Sequence, residues 1–416
     1  MGTNTFSPDE FAALVGRLRW DKRRHPYHGR DEYQATAHQV LETATALVDA
    51  GRAGTVVRTL RTAVDRVTRA LMHLDDSSGI GGDALQELTD LYARALEQAL
   101  PASPKTLASW LVAAQFDGPG WPRIHLRAFA PALGERGIAE ITAQVQARAA
   151  TAAPDSWSAR FAVRDFREQL AELTGNVDHH IAVLAEDLKS PERYRKIARA
   201  LLDADRPGEA IDWAGRGLAH HPGNPYSDRL RDLLIDLLID EGQVVAALEV
   251  RVTEFNRHPV AATFRALAAT CDRVGDTTPL ATALEELRTR ATENPIRLRE
   301  LVQALDSVGL DEEAWSTAAA HPGDVGAHLL HSLVERREAA HPADVLSPYR
   351  FLVQAQLAGT GQYRYDRTVK LLRRLRSAHT AAGDPEGFTS YLAELRTEHK
   401  RKTSFIAKLD KAGLAP

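Results

Sequence analysis

A single cysteine, Cys271, stands in 416 residues, so no intrachain disulfide can form and no zinc site can be built on several cysteines of one chain. Aromatic residues make up only 6% of the chain, which leaves core formation mostly to aliphatic side chains. No run approaches the roughly 18 apolar residues that mark a membrane-spanning helix. Met1 to Phe11 lacks the basic-then-apolar pattern of a secretory leader, and the expected compartment is the cytoplasm. Charge of one sign is also missing. Lys and Arg number 52 against 56 Asp and Glu, for a formal net charge of −4. No global field attracts nucleic acid or membrane, so any such binding needs a local patch. Nucleophile elbow, dinucleotide fingerprint and His-Glu-x-x-His are absent. Gly79-Ile80-Gly81-Gly82 lacks the Lys-Ser/Thr that completes a phosphate loop. No cofactor and no reaction are expected, and the chain reads as a non-enzyme.

What is abundant is Ala, Leu, Arg and Glu, whose side chains lose little rotamer freedom in a helix. Ser7-Pro8-Asp9-Glu10 is a helix-start signal, with a cap, a proline in the first turn and acids next. Helices are expected over 31–50, 53–73, 84–99, 105–115, 126–133 and 137–150. Beyond Pro154 they follow at 158–173 and 177–187, and then in pairs, with no convincing strand. Asp324 to Ala343 reads as one helix. The last four are expected at 348–358, 364–381, 385–397 and 399–412. Thr151-Ala152-Ala153-Pro154-Asp155 holds no core residue and is the candidate boundary. It separates an N-terminal helical domain, 1–153, from a repeat domain, 154–416.

The repeat is punctuated by proline at His221-Pro222, His258-Pro259, Asn294-Pro295, His321-Pro322 and His341-Pro342, in steps of 37, 36, 27 and 20 residues. The first two steps are close to the ~34-residue period of tetratricopeptide helix pairs. Ala210, Ala214 and Pro222, then Ala247 and Pro259, resemble the second helix of such a pair: a small residue for close approach and a proline that ends it. Trp213 between the two alanines departs from that pattern. The expected fold is all-α, an α-solenoid of tetratricopeptide-like pairs preceded by a helical domain. Repeats of this kind bury their apolar faces only by stacking on neighbours, which creates extended binding surfaces.

More specific motifs carry a second resemblance. Asp75-Asp76-Ser77-Ser78-Gly79 with Gly82-Asp83, Phe116-Asp117-Gly118-Pro119-Gly120-Trp121-Pro122 and Ala130-Pro131-Ala132-Leu133-Gly134 look like an uncharacterised bacterial all-helical family. They are also similar to the region after the zinc finger of bacterial SWIM zinc-finger proteins. His399-Lys400-Arg401-Lys402-Thr403-Ser404-Phe405 and Leu409-Asp410-Lys411-Ala412-Gly413-Leu414 are similar to the tail of those proteins. With one cysteine, the three-Cys, one-His finger itself is absent. The resemblance implies a protein partner, with an ATPase or helicase-like protein as the analogous choice.

Two kinds of candidate site follow. The loop Asp75, Asp76, Ser77, Ser78 and Asp83 could hold an anion on its amides or a divalent ion on its carboxylates, as a metal-dependent enzyme would. Counted from Asp76 as a calcium loop, Ile80 falls where an oxygen ligand is required. The alternative is capping, with Asp76 and Ser77 closing a turn and Asp83 capping the next helix. The basic clusters are Arg17, Arg19, Lys22, Arg23, Arg24 and Arg30 with Trp20 and Tyr27, then Arg364, Arg367, Lys370, Arg373, Arg374 and Arg376, then Lys400, Arg401 and Lys402. They could contact phosphates and stack bases. Trp121 is expected to pack across a helix corner. His179-His180 and His220-His221 are adjacent rather than four apart, which does not suit a metal on one helix face. The repeat-closing histidines read as helix C-terminal residues, and Cys271 as a small core residue. Taken together, the sequence describes a non-catalytic scaffold for a partner protein or peptide. Nucleic-acid binding is the alternative, membrane association is not expected, and the oligomeric state is not legible.

Overall fold

The computed structural model describes residues 7–20, 27, 29–151, 153 and 156–414. Among them every regular element is helical, which establishes the all-α class. The helices divide into two compact units, 1–213 and 214–416, with the division inside one helix.

In the first unit lie α1 (Pro8–Gly16), α2 (Arg30–Asp49), α3 (Ala53–Leu71), α4 (Ile80–Gln98) and α5 (Pro104–Phe116). α6 (Leu126–Thr151), α7 (Trp157–Leu173), α8 (Val177–Ala185) and α9 (Pro191–Asp203) follow, and α10 (Pro207–His220) carries the division. The Ser7 signal forms a full capping box: Glu10 N–H donates to Ser7 Oγ at 3.2 Å, and Ser7 N–H to Glu10 Oε2 at 2.7 Å. α3 buries Val56, Leu60, Val64 and Val67 completely or nearly so, because the 3.6-residue repeat returns them to one side. α6 contains a kink at Gly134, whose φ of 51° breaks the ladder between the two helices expected there.

The boundary expected at 153/154 falls inside this unit. α6 and α7 pack on each other, and Phe166 of α7 stacks on Phe116 of α5 at 5.9 Å, in the same core as Phe11 and Phe129. Small residues between two helices mark a connection, which need not be a domain edge. Ala152, Pro154 and Asp155 of that segment lie outside the described residues.

The second unit contains α11 (Asp228–Asp240), α12 (Val244–Arg257), α13 (Ala261–Val274), α14 (Thr278–Glu293), α15 (Leu298–Ser307) and α16 (Asp311–Ala320). It continues with α17 (Pro322–Val325), α18 (Ala327–Arg337), α19 (Leu346–Ala358), α20 (Arg364–Ala381), α21 (Pro385–Glu398) and α22 (Thr403–Lys411). Each of α12, α13, α15 and α20 packs on sequence neighbours, the nearest-neighbour pattern of stacked repeats. Ala247 is fully buried on α12, which packs on both α11 and α13. Three of the closing residues end helices: His258, Asn294 and His321 are the C-caps of α12, α14 and α16, whereas α18 already ends at Arg337, before His341. Cys271 is fully buried in this core, where burial pushes its thiol up to about 11.

Two helices of this unit depart from the expectation. The stretch 324–343 is not one helix, because Gly326 at φ 87° separates α17 from α18. The last helix starts at Thr403, four residues later than expected, since His399 caps α21. A run of cations at 400–402 opposes the positive end of a helix dipole and suits a turn better.

Candidate functional site

The acidic loop is a helix-capping device. Asp76 receives the N–H groups of Gly81 and Gly82 on its two carboxylate oxygens, both at 2.8 Å, and Gln34 adds a third donor at 3.2 Å. These are orphan donors of the first turn of α4, and a negative charge suits that end of the dipole. Gly79, at φ 76°, takes the left-handed turn into the helix. A Cβ at Gly81 would stand 2.6 Å from Leu71 Cδ2 and 3.0 Å from the capping oxygen. The helix therefore starts at Ile80, before the expected 84, and Asp83 sits inside its first turn and does not cap it. Asp75 accepts from Arg30 at 3.2 Å and from Ser77 Oγ at 3.2 Å. Ser78 is exposed in the turn before α4.

The first basic cluster is thus tied to the acidic loop through Arg30, a link that sequence distance hid. Arg17 and Arg19 are exposed. Trp20 packs edge-on to Tyr33 at 5.7 Å and is only partly accessible for stacking. Lys22, Arg23 and Arg24 lie outside the described residues. In the second unit Arg367, Lys370 and Arg373 project from the solvent face of α20, while Arg374 is drawn onto Glu335 and Glu338 of the α18 end. Arg364 bonds Gly359 O at 2.6 Å, and Arg376 reaches Gly413 O at 3.4 Å. Lys400 and Arg401 are exposed in the α21–α22 turn. Trp121, expected to pack, is 41% exposed.

Sequence reasoning missed a groove of about 990 Å³ in the first unit, lined by α7, α8, α9 and the start of α6. Three helices supply its walls at helical spacing: Asp165, Glu168, Gln169 and Glu172 from α7, Val177, His180 and Leu184 from α8, and Lys196, Arg199, Ala200 and Asp203 from α9. Arg123, His125 and Arg127 close the far side. Gln169 fixes that side by accepting from Leu126 N–H at 2.7 Å and donating to Ile124 O at 3.0 Å and to Asp165 at 2.7 Å.

A buried ionic network underlies the groove. Glu168 and Arg193 are 5% and 7% exposed and hydrogen-bonded to each other. Lys196 Nζ donates to the other Glu168 oxygen at 2.8 Å. Arg193 also reaches Leu184 O at 2.8 Å and Asp187 O at 3.0 Å, satisfying carbonyls that the end of α8 leaves unpaired. Burial pushes the Glu168 carboxyl up, but the hydrogen bonds and charges of Lys196 and Arg193 outweigh it and hold the group below its ordinary range. Burial holds His180 below its ordinary value, against the opposing pull of Glu172 and Glu168. At neutral pH the groove therefore presents an ionised carboxylate, a neutral imidazole and a rim of both signs. Among the described residues no group of three or more His, Cys, Asp or Glu is placed to hold a metal ion. Likewise, no described helix is long and apolar enough to cross a membrane.

A model described as a family of unknown function, DUF6880, matches residues 35–408. No curated protein matches the sequence. Among solved structures, the chain is similar to apo RapI at TM-score 0.25 and 10% identity, covering 90% of this chain and 86% of that one. It is similar to yeast Tom70 at TM-score 0.25 and 11% identity, covering 98% and 89%. Similarity to a human IFIT1 dimer with m7Gppp-AAAA has TM-score 0.23 and 12% identity, covering 98% and 95%.

Proposed function

The chain belongs to the DUF6880 family, and for this member we propose a non-catalytic scaffold that grips a segment of a partner protein in the α7–α9 groove. The observation that carries the reading is the sign pattern of the lining. Arg123, Arg127, Arg195, Lys196 and Arg199 stand among Asp165, Glu168, Glu172 and Asp203. A nucleic-acid channel needs one sign of charge along its length. A lining of both signs suits a polypeptide, whose own charges alternate and whose backbone both donates and accepts. The buried Glu168–Arg193 pair keeps the walls fixed, which limits the ordering cost of binding. An ATPase or helicase-like protein in the bacterial cytoplasm is the partner class that the resemblance to SWIM proteins favours.

A second reading is favoured by Arg367, Lys370 and Arg373, which fall within about a third of the α20 circumference and have no counter-charge among the described residues. It assigns that face to a phosphate backbone.

Affinity capture of the full chain from lysate, with and without nuclease, tests the two readings. We expect a stoichiometric protein that survives nuclease and is lost with Arg199→Glu, an exposed change at the groove rim. Partners that vanish with nuclease, or that ignore Arg199→Glu, contradict the groove reading.

A further inference from the structure

Trp157 and Phe161, on the solvent side of α7, are 70% and 38% exposed yet stacked on each other, with ring centroids 5.3 Å apart. The Arg164 guanidinium lies 5.7 Å from the Phe161 ring. The spacing i, i+4, i+7 aligns the three in one stripe. Beside the stripe is a cavity of about 250 Å³, with Val163 and Val183 in its wall together with Arg160, Arg164 and Arg167. Arg164 is paired with Asp187 at 2.8 Å and Arg167 with Glu186 at 2.7 Å. Arg160 is exposed and has no counter-charge among the described residues. Asp187 lines the same cavity, and its Oδ1 is buried without a hydrogen-bond partner.

We infer that this stripe and cavity form a docking surface for an amphipathic segment of a partner protein, one apolar anchor residue flanked by carboxylates. The cavity is smaller than the roughly 300 Å³ at which whole-ligand pockets begin, which matches a single side chain. Tryptophan and arginine at a rim are the residue types that carry binding energy between proteins. Charge selects the segment. Arg193 in the same wall is committed to Glu168, and of the three guanidiniums from α7 two are paired with Asp187 and Glu186, so Arg160 is left to take an incoming carboxylate in two parallel hydrogen bonds. A nucleic acid is the weaker fit, because the two rings already stack on each other and three of the four arginines are neutralised. Trp157, Phe161 and Arg160 do not line the α7–α9 groove, so this surface stands whether or not the groove holds a partner.

The test uses the full chain and two fluorescent 14-residue helical peptides sharing one leucine stripe, with Glu at the remaining positions of one and Lys in the other. Anisotropy is expected to show binding of the Glu peptide alone. Trp157→Ala and Phe161→Ala should each weaken it by about tenfold or more, and Arg160→Glu should weaken it further than it weakens any residual binding of the Lys peptide. Arg199→Glu should leave it unchanged, which separates this surface from the groove. Circular dichroism of the variants should match the parent, since all of these residues are exposed. Equal binding of the Lys peptide, indifference to Trp157→Ala, absence of binding up to about 1 mM, or displacement of the peptide by oligo-dT each overturns the inference.

Discussion

Glu168→Ala lowers the unfolding free energy of the first unit by about 3–5 kcal/mol. The substitution leaves the Arg193 guanidinium, 7% exposed, without the carboxylate it was folded against. A buried charge stripped of its partner costs more than the pair was worth, because its desolvation is no longer offset. The double variant Glu168→Leu, Arg193→Met should recover most of the loss. The shortfall should be about 1–3 kcal/mol, since Arg193 also serves Leu184 O and Asp187 O. Tryptophan fluorescence in urea reads this unit well: Trp20, Trp110, Trp121, Trp157 and Trp213 lie in it, and Trp315 alone lies in the other. The pH dependence has a definite sign. Glu168 has a folded pKa below its ordinary 4.5, so its contribution is full above that value and is lost as pH falls through the folded pKa. His180 is also depressed, and from pH 6.5 downward the unfolded chain takes up its proton first, which again lowers stability. Wild type should lose stability in two stages on acidification, and Glu168→Ala should shrink the lower one, which Asp117 and Glu140 share. A loss under about 1 kcal/mol would mean that the pair is effectively solvated.

Phe166→Ala costs about 3–5 kcal/mol by the same assay. The ring is completely buried and lies nearly parallel to Phe116, at an interplanar angle of 11°. Removing it forfeits transfer energy and opens a cavity where α7 meets α5 and α6, and the walls can close only partly. Trp157→Ala, one residue into the same helix and 70% exposed, should change stability by no more than about 0.5 kcal/mol. The contrast distinguishes an aromatic that builds the unit from one that meets a partner. Because α7 is a wall of the groove, Phe166→Ala should also reduce partner capture.

Helix identity was legible because capping, turn residues and apolar periodicity agree at each element. Ser7-Pro8-Asp9-Glu10 predicts its capping box, and 364–381 is recovered at both ends. The α4 start is not legible because its cap, Asp76, lies four residues before the helix and reaches amides at Gly81 and Gly82. Reading caps only at the adjacent position cannot find that. Residue type alone favours packing for Trp121, and type does not tell which side of a loop a ring takes. The groove was invisible for a different reason. Glu168, Arg193 and Lys196 look like ordinary members of charged helix faces, and only the approach of α7 to α9 across 25 and 28 residues makes them one network. The i, i+3/i+4 acids at 165, 168 and 172 are the sole local trace, and solvated helices carry such spacing as well. Among the basic residues, exposure separates Arg367, Lys370 and Arg373 from Arg374, which an α18 carboxylate claims. Spacing along α20 does not separate them.

The central claim, that the α7–α9 groove holds a partner polypeptide, is met most directly by photo-crosslinking in cells from benzoylphenylalanine placed at Arg199, with Glu97 on α4 as the exposed control. We expect one discrete adduct from position 199, with the partner peptide identified by mass spectrometry and no matching adduct from position 97. Adducts equal at both positions, or none at 199, would contradict it.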